Sequence, residues 1–258
     1  MFSVRTLCFF GVFLAMTAWE YLRPRRLLSP GRSQRWPINL GLFVIDVVSI
    51  NIIVGMWVYA GALFAQAWKF GILNWLHCPV WLGVPLTFLV LDLAVYRQHV
   101  AFHKIGWLWR LHRVHHSDLG FDVTTGVRFH PLEIFISIVW KLFIVLLLGA
   151  TPVGVLAFEI ILNATSLFNH GNVAIPERID AKVRRWIVTP DMHRIHHSSI
   201  KAETDSNFSF SLSIWDHIFS TYHAEPELGQ TRLEIGLREY RDPSAIKLGQ
   251  LLSLPFKP

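Results

Sequence analysis

Five long apolar stretches limit this chain to a fold built of membrane helices. They cover residues 6–22, 38–67, 79–98, 133–150 and 153–168. Charged residues make up only 16% of the chain, compared with about 25% in soluble domains. The last two stretches are short and are separated by Gly149, Pro152 and Gly154, which predicts a helical hairpin that enters the membrane and returns. We expect an all-α integral membrane protein with about four to five transmembrane or re-entrant helices, because a crossing takes about 20 apolar residues.

Arginines in the loop 23–35 predict the orientation of these helices. They are Arg23, Arg25, Arg26, Arg32 and Arg35. Basic loops beside membrane spans normally face the cytoplasm and meet anionic lipid. This topology explains the net charge of +6, so we predict no nucleic-acid partner. Alternate crossings then bring the end of the third stretch and the end of the hairpin to the cytoplasmic side of a bacterial inner membrane or an endoplasmic reticulum.

Three short runs place eight histidines at helical ligand spacing. They read His99-Val-Ala-Phe-His103, His112-Arg-Val-His115-His116 and His193-Arg-Ile-His196-His197. Positions i, i+3 and i+4 lie on one side of a helix, so each run can direct imidazoles at one point. Imidazole binds zinc, copper, iron and nickel, and an ordinary zinc site takes four ligands. Eight ligands imply two metal ions or one crowded site, and adjacent histidines are expected to serve different ions.

The residues alone leave the class of metal protein open. The near absence of carboxylates separates the runs from soluble di-iron bundles, and neither H-E-x-x-H nor G-x-S-x-G occurs. A redox metal would support oxygen chemistry, whereas zinc would indicate a membrane hydrolase. A non-catalytic metal-binding or lipid-binding membrane protein is the third alternative.

The three runs, in this order and between apolar stretches, resemble the membrane fatty-acid hydroxylase and sterol desaturase superfamily. Further matches are Arg128-Phe129-His130-Pro131-Leu132-Glu133, Asn169-His170-Gly171-Asn172, Thr189-Pro190-Asp191-Met192-His193, Asn207 and the Trp215-Asp216-x-x-Phe219 run. The likeness covers residues 90–223, whereas the first 85 residues match only as apolar spans. The resemblance implies a non-haem di-iron centre that uses O2 and external electrons to hydroxylate or desaturate a lipid, such as a fatty acyl chain or a sterol.

The resemblance also implies nine metal ligands. They are His99, His103, His112, His115, His116, His170, His193, His196 and His197. They would hold two iron ions, which zinc can replace at nitrogen sites. Some family members place another histidine four residues before His170, where this chain has Ser166. His130 is a weaker candidate for a ligand than for a supporting or substrate-gating residue.

Several other side chains are expected to support this site. A metal-bound imidazole usually donates its other N–H to a carboxylate or carbonyl. The candidate carboxylates, each with solvated surface charge as its alternative, are Asp118, Glu133, Asp191 and Asp216. Asp92 lies in an apolar span and is expected to face the bundle interior. Aromatic residues that could line a lipid channel, or else form an interfacial belt, are Phe102, Trp107, Trp109, Phe121 and Phe129.

The chain is expected to comprise three parts. Membrane helices occupy 1–98, a histidine-rich catalytic region with the hairpin 133–168 occupies 99–223 as a cytoplasmic helical cap, and a cytoplasmic tail occupies 224–258. The closing residues 248–256 are expected to touch the bilayer surface. No haem-binding or flavin-binding fingerprint occurs, so we expect an external ferredoxin-type or cytochrome-type donor with its reductase on the basic face.

Overall fold

The computed structural model describes residues 2–53, 56–242 and 247–257, and these residues form helices without any strand. The helices are α1 (Phe2–Leu22), α2 (Arg32–Ile53), α3 (Trp57–Ala67), α4 (Ile72–Trp75), α5 (Val80–Lys104), α6 (Gly106–His116), α7 (Pro131–Leu148), α8 (Pro152–Asn169), α9 (Glu177–Val183), α10 (Pro190–His196), α11 (Lys201–Thr204), α12 (Ile214–Ile218), α13 (Gly229–Arg232) and α14 (Leu248–Ser253). Single 3-10 turns lie at Thr125–Val127, Arg238–Tyr240 and Leu254–Phe256. The prediction of an all-α fold is confirmed.

Three of the described helices are long and apolar enough to cross a membrane. They are α5, with 25 residues, and α7 and α8, with 18 residues each. The stretch 38–67 divides between α2 and α3, and the total of four to five membrane helices stays a prediction. On α7, the exposed residues Val139, Phe143 and Leu147 follow each other at four-residue intervals. This spacing forms one apolar stripe on the outer face of the helix, which suits contact with lipid.

The hairpin of α7 and α8 is closed by residues suited to a sharp reversal. Gly149 ends α7 in the left-handed region at a φ of 67°, where a glycine is unstrained. Pro152 then occupies the first turn of α8, and the Thr151 hydroxyl accepts a hydrogen bond from the Gly154 N–H. Helix α5 packs against both α7 and α8. Their shared core includes Leu91, Val145 and Phe158.

Two of the N-terminal arginines form ion pairs inside the protein, which the interpretation of 23–35 as a basic loop at the membrane did not predict. Helix α2 begins at Arg32, so Arg32 and Arg35 lie in a helix rather than in a loop. Arg35 is only 1% exposed and donates to the carboxylates of Asp118 and Asp122 at 2.7 and 2.6 Å. Arg25 pairs in the same way with Asp191 at 3.0 Å. These ion pairs attach the first two helices to the histidine-rich region. They say nothing against lipid contacts of the other arginines.

The C-terminal segment packs into the protein. Leu251 and Leu254 are buried against Leu42 and Val114, and the Arg113 guanidinium donates to the Leu254 carbonyl at 2.6 Å. The expectation that 248–256 touches the bilayer is therefore wrong for its buried leucines. The three-part division of the chain stays a prediction, and its residues 1, 54–55, 243–246 and 258 lie outside the described ones.

Candidate metal centre

Four helical segments bring the nine histidines to one place at the ends of the membrane helices. The last two turns of α5 carry His99 and His103, and α6 carries the second run. His170 directly follows α8, while α10 and the residue after it carry the third run. Only Ile105 separates α5 from α6, so the first two runs follow each other closely, and α5 and α6 pack together.

The imidazoles form two groups. In the first, called the five-histidine group, the ligand nitrogens lie within 4.8 Å of one another; its members are His99, His103, His112, His116 and His196. The Nε2 atom of His112 lies 3.1 Å from Nε2 of His99 and 3.2 Å from Nε2 of His116. The second is called the four-histidine group, and its ligand nitrogens also lie within 4.8 Å of one another; its members are His115, His170, His193 and His197.

Adjacent histidines fall into different groups. His115 belongs to the four-histidine group and His116 to the five-histidine group, and His196 and His197 are separated in the same way. Neighbouring residues on a helix point about 100° apart, whereas residues four apart share a face. The two groups touch, because the rings of His116 and His197 stack with their centroids 4.5 Å apart.

Backbone carbonyls hold several of the rings in one orientation. The Nδ1–H groups of His99, His170 and His196 donate to the carbonyls of Phe208, Ser166 and Ser206, each at 2.7 Å. A carbonyl only accepts hydrogen bonds, so Nδ1 must carry the proton in these rings. Their Nε2 lone pairs therefore face the interior of the groups, in the orientation that metal-binding histidines show.

The histidine groups fit metal cations chemically. His170 Nε2 lies 3.1 Å from Nε2 of both His115 and His193. Two nitrogens that bind one ion at about 2.1 Å are separated by about 3.0–3.4 Å. Nε2 of His103 and of His196 is buried without a hydrogen-bond partner among the described residues.

Burial also keeps these imidazoles in the neutral form that binds metal. It lowers the pKa of His112 to about 3 and the pKa of His170 to about 4. Both rings are therefore uncharged at neutral pH. Each group is a set of buried lone pairs directed at one another, and a cation would satisfy them.

Only one of the four carboxylates proposed as imidazole partners touches a ring. Glu133 accepts from His112 Nδ1 at 2.6 Å, which confirms that contact. Asp216 supports the His99 ring indirectly. It accepts a hydrogen bond from the backbone N–H of Phe208, and the Phe208 carbonyl in turn accepts one from His99. For Asp118 and Asp191 the expected histidine contact is wrong.

The other acidic residues bind arginine or tryptophan side chains, and one acidic residue near a histidine was not predicted. Asp118 and Asp191 bind arginines, and the Arg35 guanidinium keeps the pKa of Asp118 below its usual range despite burial. Asp92 is 1% exposed and accepts from the Trp215 indole N–H at 2.8 Å. Sequence reasoning missed Asp205, which lies 3.4 Å from Nδ1 of His103.

The Arg128-to-Glu133 motif supports the centre without extending either group. His130 is not a member of either histidine group, and its Nδ1 accepts from the Leu132 N–H at the start of α7. Arg128 is buried and donates to the Val114 carbonyl at 2.9 Å. Burial lowers the pKa of Arg128 to about 10, so it stays charged at neutral pH. Arg128 thereby holds the end of α6, on which three of the ligands lie.

A cavity of about 300 Å³ reaches the five-histidine group from between the membrane helices. His99 and His112 form part of its wall, together with Phe102 and Phe129, as proposed for the lipid channel. Phe121 instead packs against the His197 ring, and Trp107 is 61% exposed. Trp109 lines a second cavity of about 720 Å³ beside His103, with its ring centroid 4.9 Å from that imidazole.

Comparison with known proteins gives a consistent set of relatives. The family model for fatty acid hydroxylases matches residues 84–221. An ornithine lipid hydroxylase of Rhizobium tropici is 29% identical over 157 residues, which are 61% of this chain and 46% of that protein. An alkylglycerol monooxygenase of Xenopus tropicalis is 32% identical over 150 residues, or 55% and 31% of the two chains. The human cholesterol 25-hydroxylase is 27% identical over 135 residues, or 52% and 48%.

These matches are partial. The matched region spans less than half the length of each of the three relatives. No solved structure gives a significant match.

Proposed function

The chain belongs to the fatty acid hydroxylase family, and from this membership we propose that it is a membrane-bound di-iron monooxygenase that hydroxylates a lipid. The observation that carries the proposal is the division of nine buried histidines into two touching groups. A single structural zinc needs four ligands, so nine neutral imidazoles suit two ions held side by side. The named relatives are hydroxylases and monooxygenases, which favours hydroxylation over desaturation.

In this proposal the five-histidine group holds one iron ion and the four-histidine group holds the other. The bound irons would supply the reduction of O2 and the oxidation of a substrate C–H bond. The protein fixes the ligands beforehand, because Phe208, Ser166 and Ser206 hold three of the rings through their carbonyls. Glu133 makes His112 a stronger ligand by accepting a hydrogen bond from its Nδ1–H group.

The cavity at His99 and His112 is proposed to receive the lipid. It opens among α1, α2, α5, α7 and α8, so a lipid would enter from the hydrocarbon region. Apolar side chains such as Phe9, Phe43 and Phe102 line part of it and would keep water from the reacting carbon. The catalytic region is then 99–223, on the cytoplasmic side of a bacterial inner membrane or an endoplasmic reticulum.

Electrons are proposed to arrive at the second cavity, which adjoins the five-histidine group at His103. The second cavity, beside His103, is lined by the carboxylates Asp205 and Glu239 and by one more cation than carboxylates, namely Arg113, Lys201 and Arg238. A ferredoxin-type or cytochrome-type donor with its reductase would suit these cationic residues, since such contacts steer acidic partners. Reversing the charge of Lys201 and Arg238 together should slow donor-driven turnover. Unchanged rates with the physiological donor at low salt would contradict this docking site.

Metal content combined with oxygen consumption tests the proposed function. Iron-loaded full-length protein should contain about two irons per chain and should consume O2 when a lipid extract and a reductant are supplied. The variant His196→Ala should lose one iron and the activity. The matched control His217→Ala changes an exposed histidine outside both groups and should behave like the parent. An active enzyme that retains two zincs and consumes no O2 would contradict the proposal in favour of a hydrolase.

A further inference from the structure

Two polar stripes run along the cavity, although it lies between membrane helices. On α7 the stripe consists of Glu133, Ser137 and Lys141, at four-residue intervals. The stripe on α8 consists of Glu159, Asn163 and Ser166. Helical spacing puts the members of each stripe on one face, and all six line the cavity. Ionisable residues inside a membrane are costly, so their convergence on one cavity indicates a ligand with polar groups.

The end of the cavity far from the histidines carries an excess of positive charge. Arg5 on α1 pairs with Glu159 at 2.6 Å, and Lys141 lies on the same cavity. These three residues comprise two cations and one carboxylate. Lys141 forms no ion pair within the part of the chain that the structure describes. It lies eight residues beyond Glu133 on α7, which corresponds to about 12 Å along the helix axis.

At the end of the cavity near the histidines, two carboxyl groups each have an oxygen that accepts no hydrogen bond from the described residues. Asp46 on α2 lines the cavity and is only 6% exposed, and its Oδ1 atom is buried without a hydrogen-bond partner among the described residues. Glu133 uses Oε1 for His112, while its Oε2 atom is buried and has no partner within the described part of the chain. A pure hydrocarbon chain or a sterol ring would offer these oxygens no hydrogen-bond donor and the Lys141 ammonium no acceptor, at a cost in free energy.

We propose that this cavity binds the polar head group of a lipid, with an anionic group at Lys141 and a hydrogen-bond donor at Asp46. The ligand class is thus a zwitterionic or similarly mixed lipid, whose acyl chains lie against apolar wall residues such as Phe9 and Phe43. The assignment of this lipid as a substrate rests on the proposed hydroxylase function. The oxidised carbon would then belong to the head group or to its immediate attachment, because the donor end held by Asp46 would lie beside Glu133, which contacts His112.

Lipid binding to the purified full-length protein in detergent tests the charge at Lys141. The probes are phosphatidylethanolamine and a diacylglycerol with the same acyl chains, measured by native mass spectrometry. Phosphatidylethanolamine should bind about tenfold more tightly, which corresponds to about 1.4 kcal/mol, because only this lipid has a phosphate that can accept a hydrogen bond from the Lys141 ammonium. The variant Lys141→Met should remove this preference, and Lys141→Arg should keep it. The matched control Lys182→Met changes an exposed lysine on α9 and should have no effect.

A second comparison tests Asp46 with phosphatidylcholine, whose methylated ammonium has no N–H donor. The parent should prefer phosphatidylethanolamine over phosphatidylcholine, and Asp46→Asn should reduce that preference. Equal binding of diacylglycerol and phosphatidylethanolamine to the parent would overturn the proposal, as would equal losses in the Lys141→Met and Lys182→Met proteins. Binding is separate from turnover, so a protein that prefers phosphatidylethanolamine but consumes no O2 would keep the head-group site and contradict only the proposed function.

Discussion

Replacing Glu133 with glutamine removes one negative charge beside the five-histidine group and leaves the shape of the side chain unchanged. Glu133 Oε1 lies 2.6 Å from His112 Nδ1, and both side chains are at most 4% exposed. The glutamine carbonyl can still accept the same hydrogen bond, so the ring should keep its orientation. What changes is the charge that makes the imidazole a stronger ligand in a poorly solvated site.

The expected loss of metal affinity is about 10- to 100-fold, the usual effect of removing such a partner. This factor corresponds to about 1.4–2.7 kcal/mol of binding free energy. His112 belongs to the five-histidine group only, so the Glu133→Gln variant should weaken one of two ions and leave the other unchanged.

Titration of the metal-loaded protein with a competing chelator measures both affinities in one experiment. The parent should release its two ions in separable steps, and the variant should release one of them at a lower chelator concentration. The control Glu177→Gln changes an exposed carboxylate on α9 and should reproduce the parent curve. Equal weakening of both ions, or no weakening of either, would refute the assignment of Glu133 to one site.

Three further predictions concern individual residues. His170→Ala removes one of the four ligands of its group, so the iron content should fall from about two to about one per chain by elemental analysis. Arg35→Met leaves Asp118 and Asp122 as buried unpaired charges, and thermal unfolding should show a loss of about 3–5 kcal/mol. Gly71→Ala puts a Cβ onto the Gly149 backbone at a φ of 93°, so it should destabilise the protein by more than about 1 kcal/mol in the same assay, whereas Gly11→Ala meets open space and should not.

The histidine arrangement was the most predictable part of the structure. Spacing of four residues is a local property of a helix, so the sequence indicated that His112 and His116 share a group and that the adjacent His115 belongs to the other. The expectation that each run directs all of its imidazoles at one point is wrong for the second and third runs, because residues three apart, such as His193 and His196, fall into different groups. His170 joined the four-histidine group even though it lies outside the three runs; its position after the hairpin and the family resemblance both pointed to it. The apolar stretches likewise predicted both ends of α7 and α8 within two residues and the start of α5 within one, although α5 continues six residues further than its stretch, to Lys104.

Contacts between distant segments were not predictable in the same way. Phe208 and Ser206 hold two imidazoles through backbone carbonyls, and every residue type has such a carbonyl. Arg35 binds Asp118, which lies 83 residues further along the chain, and no local pattern distinguishes it from an arginine that faces lipid. The polar stripe of α7 was visible as Glu133 and Lys141, but its meaning depends on the helices that face it.

The location of iron in the loaded protein tests the central claim most directly. Anomalous scattering at the iron edge, collected from crystals of the iron-loaded full-length chain, would locate each ion without reference to activity. The account predicts two peaks, one among the imidazoles of the five-histidine group and the other within the four-histidine group. A single peak shared by both groups, or a peak at carboxylates outside them, would contradict it.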